Sequence, residues 1–321
     1  MSKNRKITPA SIVVTVKNES HTIEDLLYSL ENQTTTPKEI VIIDAGSNDG
    51  TVKIIKRNMK KNKKIKLIIH KGASIARGRN LGVSKATSNI IAMTDAGCKM
   101  NKKWLFNITK PFSANQKIGL VSGTYKMTGK SLFQEAVKPY LGIPYSLASS
   151  QNFLPSTRSM AFRKSVFEKI GGFSEDLDRA GEDTLFNYQA KKMGVNFYFS
   201  KNAIVDWEVP SNLKEAFKKF FYYAKGDVQT GIWWHPEKKL TTHNIKIIVI
   251  YFRYFLGLTF LFLSFFRKIF LNVLIFLFFL YPVWALLKNY HRLERKLAVF
   301  LLPFIQIISD FAVMIGFASG V

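Results

Sequence analysis

Through the first hundred residues, short apolar runs alternate with longer stretches whose apolar positions recur every three or four residues. SIVVTV (11–16), EIVIIDAG (39–46), KLIIH (66–70) and NIIAM (89–93) have the length and β-branched content of buried strands. Between them, HTIEDLLYSLENQ (21–33) puts Ile23, Leu26, Leu27 and Leu30 on one helical face, with Ser20 placed to cap it. NDGTVKIIKRNMK (48–60) and SIARGRNLGVSKA (74–86) predict two more helices. This β-α-β-α-β-α-β order predicts an α/β fold: a parallel, Rossmann-like sheet with helices on both faces.

The pattern changes at Ile245. Ile247–Phe266, Ile269–Leu287 and Leu297–Gly320 are almost purely apolar, each about the length a helix needs to cross a bilayer. The loop KNYHRLERK (288–296) carries four Lys/Arg against one Glu, which predicts a cytoplasmic loop and places residues 1–244 on the same side. Asp310 is an acid inside the third run, either functional or paired with Arg253. Ahead of the first run, 212–235 begins as a basic amphipathic helix. Leu213, Phe217, Phe220 and Phe221 share a face suited to a membrane surface or to the body of the protein, and Trp233 and Trp234 are placed for headgroup depth. The expected organisation is a catalytic domain over 1–210, an interfacial region over 211–244 and about three spans over 245–321.

Composition adds little to this. The 321-residue chain is 47% hydrophobic with a net charge of +25, which suits anionic lipid or a phosphorylated substrate. Runs such as KRNMKKNKKIK (56–66) also fit a solvated face. No aromatic-interleaved basic surface points to nucleic acid. One cysteine, Cys98, excludes an intrachain disulfide framework. The N-terminal apolar run is too short for a signal peptide.

In open α/β sheets, ligands bind beyond the carboxyl ends of the strands. Lys17-Asn18-Glu19, Asp44-Ala45-Gly46-Ser47 and Asp95-Ala96-Gly97 all fall there. SIVVTVKNES, VIIDAGSNDGT, ARGRNLG and IIAMTDAG, in that order, resemble successive blocks of family 2 glycosyltransferases of the GT-A fold. PSTRSMAFRKSVFEKIGGFSEDLDRAGEDTLFNYQAKKMG (155–194) resembles the family's acceptor half. The likeness covers roughly 8–230. It is similar to membrane-anchored members that glycosylate lipid carriers or build surface polysaccharides.

That resemblance implies a nucleotide-sugar donor and a lipid-linked or polysaccharide acceptor at the membrane lipid. It assigns Asp44 to the nucleobase, Glu19 to the other side of that pocket, and Asp95 with Ala96 to the donor. Arg77, Arg79 and Asn80 are candidates to reach the phosphates. A divalent cation, Mg2+ or Mn2+, is expected on Asp95. The chain departs from the family's Asp-x-Asp at Gly97, and Trp207 stands near the family's metal-binding His, leaving Asp206 or Glu208 as substitutes. In AGEDTLF (180–186) the resemblance makes Asp183 the general base, with Glu182 holding the acceptor or tuning Asp183. Arg158 and Arg163 are phosphate candidates on the acceptor side. QTGIWW lacks the Arg of the processive synthases' signature, which argues against processive polymerisation. The rival expectation is a GT-A binding subunit that has lost catalysis, a reading that Gly97 favours and Glu182-Asp183 opposes.

Overall fold

The computed structural model describes residues 9–150, 154–177, 179–231 and 247–321. These divide into two compact units, one within Met1–Met127 and Tyr145–Glu208, the other within Thr128–Pro144 and Val209–Val321.

The first unit is built on an eight-stranded sheet. Its strands are β1 (Ala10–Val16), β2 (Glu39–Asp44), β3 (Ile65–Ile69), β4 (Ile90–Met93), β5 (Cys98–Met100), β6 (Ile118–Thr128), β7 (Met160–Arg163) and β8 (Asn196–Glu208), in the order β3-β2-β1-β4-β7-β6-β8-β5. The four strands expected from the sequence are parallel, with Val16 opposite Asp44 and Val13 opposite Met93. From β4 onward the sheet turns antiparallel: β4 with β7, β6 with β7, and β5 with β8. The fold is GT-A-like α/β, with a mixed sheet rather than the parallel one expected.

Helices α1 (Ile23–Glu31), α2 (Thr51–Lys61), α3 (Ile75–Lys85), α4 (Trp104–Ala114), α6 (Lys164–Ile170) and α7 (Glu182–Lys192) flank this sheet; α5 belongs to the second unit. α3 lies unusually close to the strands. A Cβ at Gly82 would overlap Val13 Cγ1, and one at Gly78 would come within 2.9 Å of Thr15 Cγ2. Those two glycines bring Arg79 down to the sheet. α7 is anchored by Phe186, whose ring lies 4.7 Å from Phe173 and 5.3 Å from Phe162. The chain enters it from α6 through Gly171 and Gly172, both at positive φ (88° and 85°), which fits the predicted helix stop.

In the second unit, α5 (Leu132–Leu141) and α8 (Leu213–Gln229) accompany three long helices, α9 (Ile247–Ser264), α10 (Lys268–Asn289) and α11 (Leu302–Gly320). Three apolar stretches here are long enough to cross a membrane, Ile247–Ser264, Lys268–Arg292 and Lys296–Gly320. α8 is capped by Asn212, whose side chain accepts the Glu215 N–H (3.0 Å). Its buried stripe is Ala216, Phe220, Ala224 and Val228; of the expected face, Phe220 is buried, Phe217 and Phe221 are half-buried and Leu213 is exposed. The reason is α11. A Cβ at Gly316 would overlap the Phe221 carbonyl oxygen, and one at Gly320 would sit 2.8 Å from the Lys225 carbonyl oxygen. Gly316-x-x-x-Gly320 therefore lets two backbones touch. Asp310 is buried and paired with Arg253. It also accepts from Tyr281 Oη (2.7 Å), Tyr254 Oη (3.3 Å) and Gln306 Nε2 (2.8 Å), ties that join α9, α10 and α11. Tyr140 of α5 donates to the Leu302 carbonyl (3.1 Å).

Candidate active site

The loops after β1 and β2 are stitched together by their own polar groups. The Asn18 N–H donates to Ser47 Oγ (2.8 Å), the Asn48 N–H to Asn18 Oδ1 (3.0 Å) and the Ser20 N–H to Asp49 Oδ2 (2.9 Å). Asn18 takes a positive φ (56°) to make this junction. Hydrogen bonds from Thr51, together with the Ser20 N–H, hold the exposed Asp49 carboxyl below its ordinary range. Asp44 is fully buried and accepts the Gly46 and Ser47 N–H groups (2.9 Å each) and Ser47 Oγ (2.5 Å). Glu19 accepts from Thr22 Oγ1 (2.6 Å).

Beyond β4 the geometry centres on Arg79. The guanidinium, 6% exposed, donates through Nη2 to Asp95 Oδ1 (2.8 Å) and through Nη1 to Glu182 Oε1. Burial alone would weaken its hold on the proton. Glu182, Asp95 and Asp183 outweigh that effect and keep it charged. Burial likewise pushes the Glu182 carboxyl above its ordinary range. Arg79 opposes that rise, while Asp183 and Asp95 add to it. Arg79 thus bonds two carboxylates and acts on a third, and burial favours the protonated form of Glu182. Asp183, half-buried beside it, accepts the Thr184 N–H (2.8 Å) and the Thr157 N–H (3.4 Å).

The Arg79 guanidinium bonds two carboxylates that the chain places 16 and 103 residues away. Asp95, Asp44 and Glu19 each accept from a donor within the protein. Asn80 exchanges hydrogen bonds with the Phe173 backbone (2.8 and 2.9 Å) and so clamps the turn after α6. Arg77 is exposed. Arg163 pairs with Ile90 at the start of β4, the end of the strand remote from Asp95, and donates to the Ile118 carbonyl (2.9 Å). Trp233 and Trp234 lie outside the described residues.

A further cluster escaped the sequence reading. Arg158 stacks 4.0 Å over the Trp207 ring and lies 5.6 Å from that of Tyr125, the two rings meeting edge to face at 5.5 Å. Arg158 Nη1 also donates to Ser156 Oγ (2.9 Å). Alternation along β8, with Val205 and Trp207 buried and Asp206 and Glu208 exposed, was the available signal. It also sends Asp206 and Glu208 to the face opposite Trp207, so neither replaces a metal ligand there.

For a divalent cation the protein's donor set is thin. Asp95 is the one carboxylate of its loop and is already bonded to Arg79, position 97 is glycine, and Trp207 offers no ligand. Among the described residues no group of three His, Cys, Asp or Glu could hold a metal ion. What fits is a cation arriving with phosphates and water as most of its shell, Asp95 giving it one carboxylate.

Residues 11–171 match the family model described as Glycosyl transferase family 2. The chain belongs to that family. Among curated relatives, this family 2 member is 24% identical over 274 residues to the poly-beta-1,6-N-acetyl-D-glucosamine synthase of Staphylococcus epidermidis, covering 82% of the present chain and 65% of the synthase. It is 25% identical over 227 residues to glycosyltransferase AglE of Haloferax volcanii, covering 68% and 73%. Among solved structures, the mannosyltransferase PcManGT from Pyrobaculum calidifontis, in complex with GDP-Man and Mn2+, superposes with a TM-score of 0.54 at 22% identity, over 70% of this chain and 63% of that one. The likeness establishes the shared GT-A fold.

Proposed function

We propose that this family 2 member is an inverting glycosyltransferase that moves a sugar from a nucleoside-diphosphate donor to a lipid-linked or surface-polysaccharide acceptor at the cytoplasmic membrane face. The observation that carries it is the Asp95–Arg79–Glu182 bridge. It ties the loop after β4, the donor edge of a GT-A sheet, to the acid pair at the start of α7. Curated relatives that build or modify glycans support the reaction class. The three apolar stretches and the basic 288–296 loop support the location, with 1–210 catalytic, 211–244 interfacial and 245–321 in the membrane.

In this reading the donor's base and ribose meet the stitched loops at Asp44 and Glu19, with Asp95 and Ala96 next along the edge. Asp183 takes the proton of the acceptor hydroxyl, whose oxygen attacks the anomeric carbon in line as the bond to the diphosphate breaks. Two N–H donors keep the Asp183 carboxylate aimed. Glu182, held by Arg79, orients the acceptor. Asp95 would hold a divalent cation together with the donor's phosphates, and the chemistry such an ion would supply there is neutralisation of the leaving group's charge.

Nucleotide binding to detergent-solubilised protein tests this. UDP, GDP and their sugars are titrated with Mn2+ and with EDTA, for wild type and Asp95→Ala. The expected result is a larger loss of affinity for Asp95→Ala in Mn2+ than in EDTA. A wild type that binds no nucleotide in either condition contradicts the reading.

A further inference from the structure

We propose that Arg158 is the fixed cation that receives the donor's diphosphate leaving group. This deepens the donor-site reading above and rests on it. The sequence reading made Arg158 a phosphate candidate on the acceptor side; its surroundings support a place nearer the donor. β4 and β7 pair antiparallel, with Ile90 opposite Arg163 and Met93 opposite Met160. Thr157–Ser159 form a 3-10 turn leading straight into β7, so Arg158 lies two residues ahead of the Met93–Met160 pair, at the end of β4 from which Asp95 follows. A second constraint comes from β8. Trp207, under the Arg158 guanidinium, is opposite Cys98, three residues beyond Asp95. A third comes from Thr157, whose N–H donates to Asp183. Arg158 thus stands between the loop after β4 and the catalytic acid pair. A leaving group must lie in that interval when its bond to the anomeric carbon breaks and the electron pair passes to the phosphate oxygen.

The local packing suits the side chain to that work. A guanidinium lying against an aromatic face keeps its N–H edge in the plane for oxyanions, and the stack fixes its direction in advance. Tyr125 at the side and Ser156 on Nη1 hold it further. The need is also local. The loop after β4 brings one carboxylate, so the metal it could hold has few protein ligands, and a diphosphate leaving group calls for further positive charge. Of the arginines named for the site, Arg79 donates to Asp95 and Glu182, and Arg163 is at the far end of β7.

The test is the preference of the solubilised full chain for a diphosphate over the bare nucleoside, measured in EDTA. Dissociation constants are compared for UDP against uridine and GDP against guanosine, in wild type, Arg158→Ala and Arg158→Lys. The expected wild-type result is a diphosphate preference that survives EDTA for one of the two bases. Arg158→Ala should lose roughly 10- to 100-fold of it, the scale of a charge-assisted pair, with nucleoside binding unchanged as proof of folding. Arg158→Lys should retain an intermediate share. The proposal is overturned if wild type prefers the diphosphate only in Mn2+, or if Arg158→Ala keeps the full preference in EDTA. Binding in Mn2+ alone would spare the donor-site reading while removing Arg158 from it. Binding of no nucleoside or nucleotide in either condition would remove both.

Discussion

Replacing Arg79 by methionine takes the guanidinium away from Glu182, which stays buried beside two further acids, Asp95 and Asp183. The Glu182 side chain is 8% exposed. Stranding a buried charge costs on the order of 3–5 kcal/mol unless the group takes a proton instead. Protonation sets the ceiling. From an ordinary carboxyl value of 4.5, holding the proton at pH 7 costs about 1.4 kcal/mol per unit, or about 3 kcal/mol. The sign follows from linkage. A carboxyl raised in the folded state contributes stability that is present below its unfolded value and is lost as pH rises through its folded value. Glu182 is already raised in wild type, so Arg79→Met should track wild type from about pH 4.5 until wild-type Glu182 ionises, and fall behind by about 1.4 kcal/mol per unit from there to neutrality. Urea unfolding of the solubilised protein between those pH values measures it. Arg79→Met/Glu182→Gln should flatten the slope and recover most of the loss. A deficit independent of pH, or a double variant no more stable than the single, would refute the idea that Arg79 acts by holding Glu182.

Two further outcomes follow from glycine geometry. Gly316→Ala should cost about 1–3 kcal/mol and lower the melting temperature, because the new methyl meets the Phe221 carbonyl; Gly257→Ala, with nothing within 4 Å of its Cβ, should not. Equal shifts in the two variants would remove the α8–α11 contact from the argument. Gly97→Asp restores the family's second carboxylate where a Cβ likewise meets nothing within 4 Å. It should make UDP or GDP binding several-fold more responsive to Mn2+ than in wild type, as two carboxylates hold such an ion better than one. An unchanged Mn2+ response would contradict that placement of position 97.

Local pattern carried the first half of the sheet. β1 to β4 and the helices between them are segments whose period alone decides their structure, and the three apolar runs are decided by length. β6, β7 and β8 were harder. MAFR and the ends of NFYFSKNAIVDWE draw their pairing from partners far along the chain, and register is not written in either strand. The acid pair was legible as a motif. Its cation was not, because Arg79 and Glu182 are 103 residues apart and become neighbours only when glycines at 78 and 82 sink α3 onto the sheet. Arg158 was read as a phosphate candidate, but its stack on Trp207 was not legible, since it joins residues 49 positions apart. Gly316-x-x-x-Gly320 was visible throughout and marks the helix face that α8 covers.

The central claim is that the donor edge and the acid pair form one catalytic site with Asp183 as its base. The most direct measurement is sugar transfer from radiolabelled UDP- and GDP-sugars into the lipid and polysaccharide fractions of membranes containing wild type or Asp183→Asn, alongside donor binding by each. The account predicts that Asp183→Asn binds donor as wild type does while transfer falls by about 10²-fold or more, the scale of a lost general base. Transfer by Asp183→Asn at the wild-type rate would contradict it.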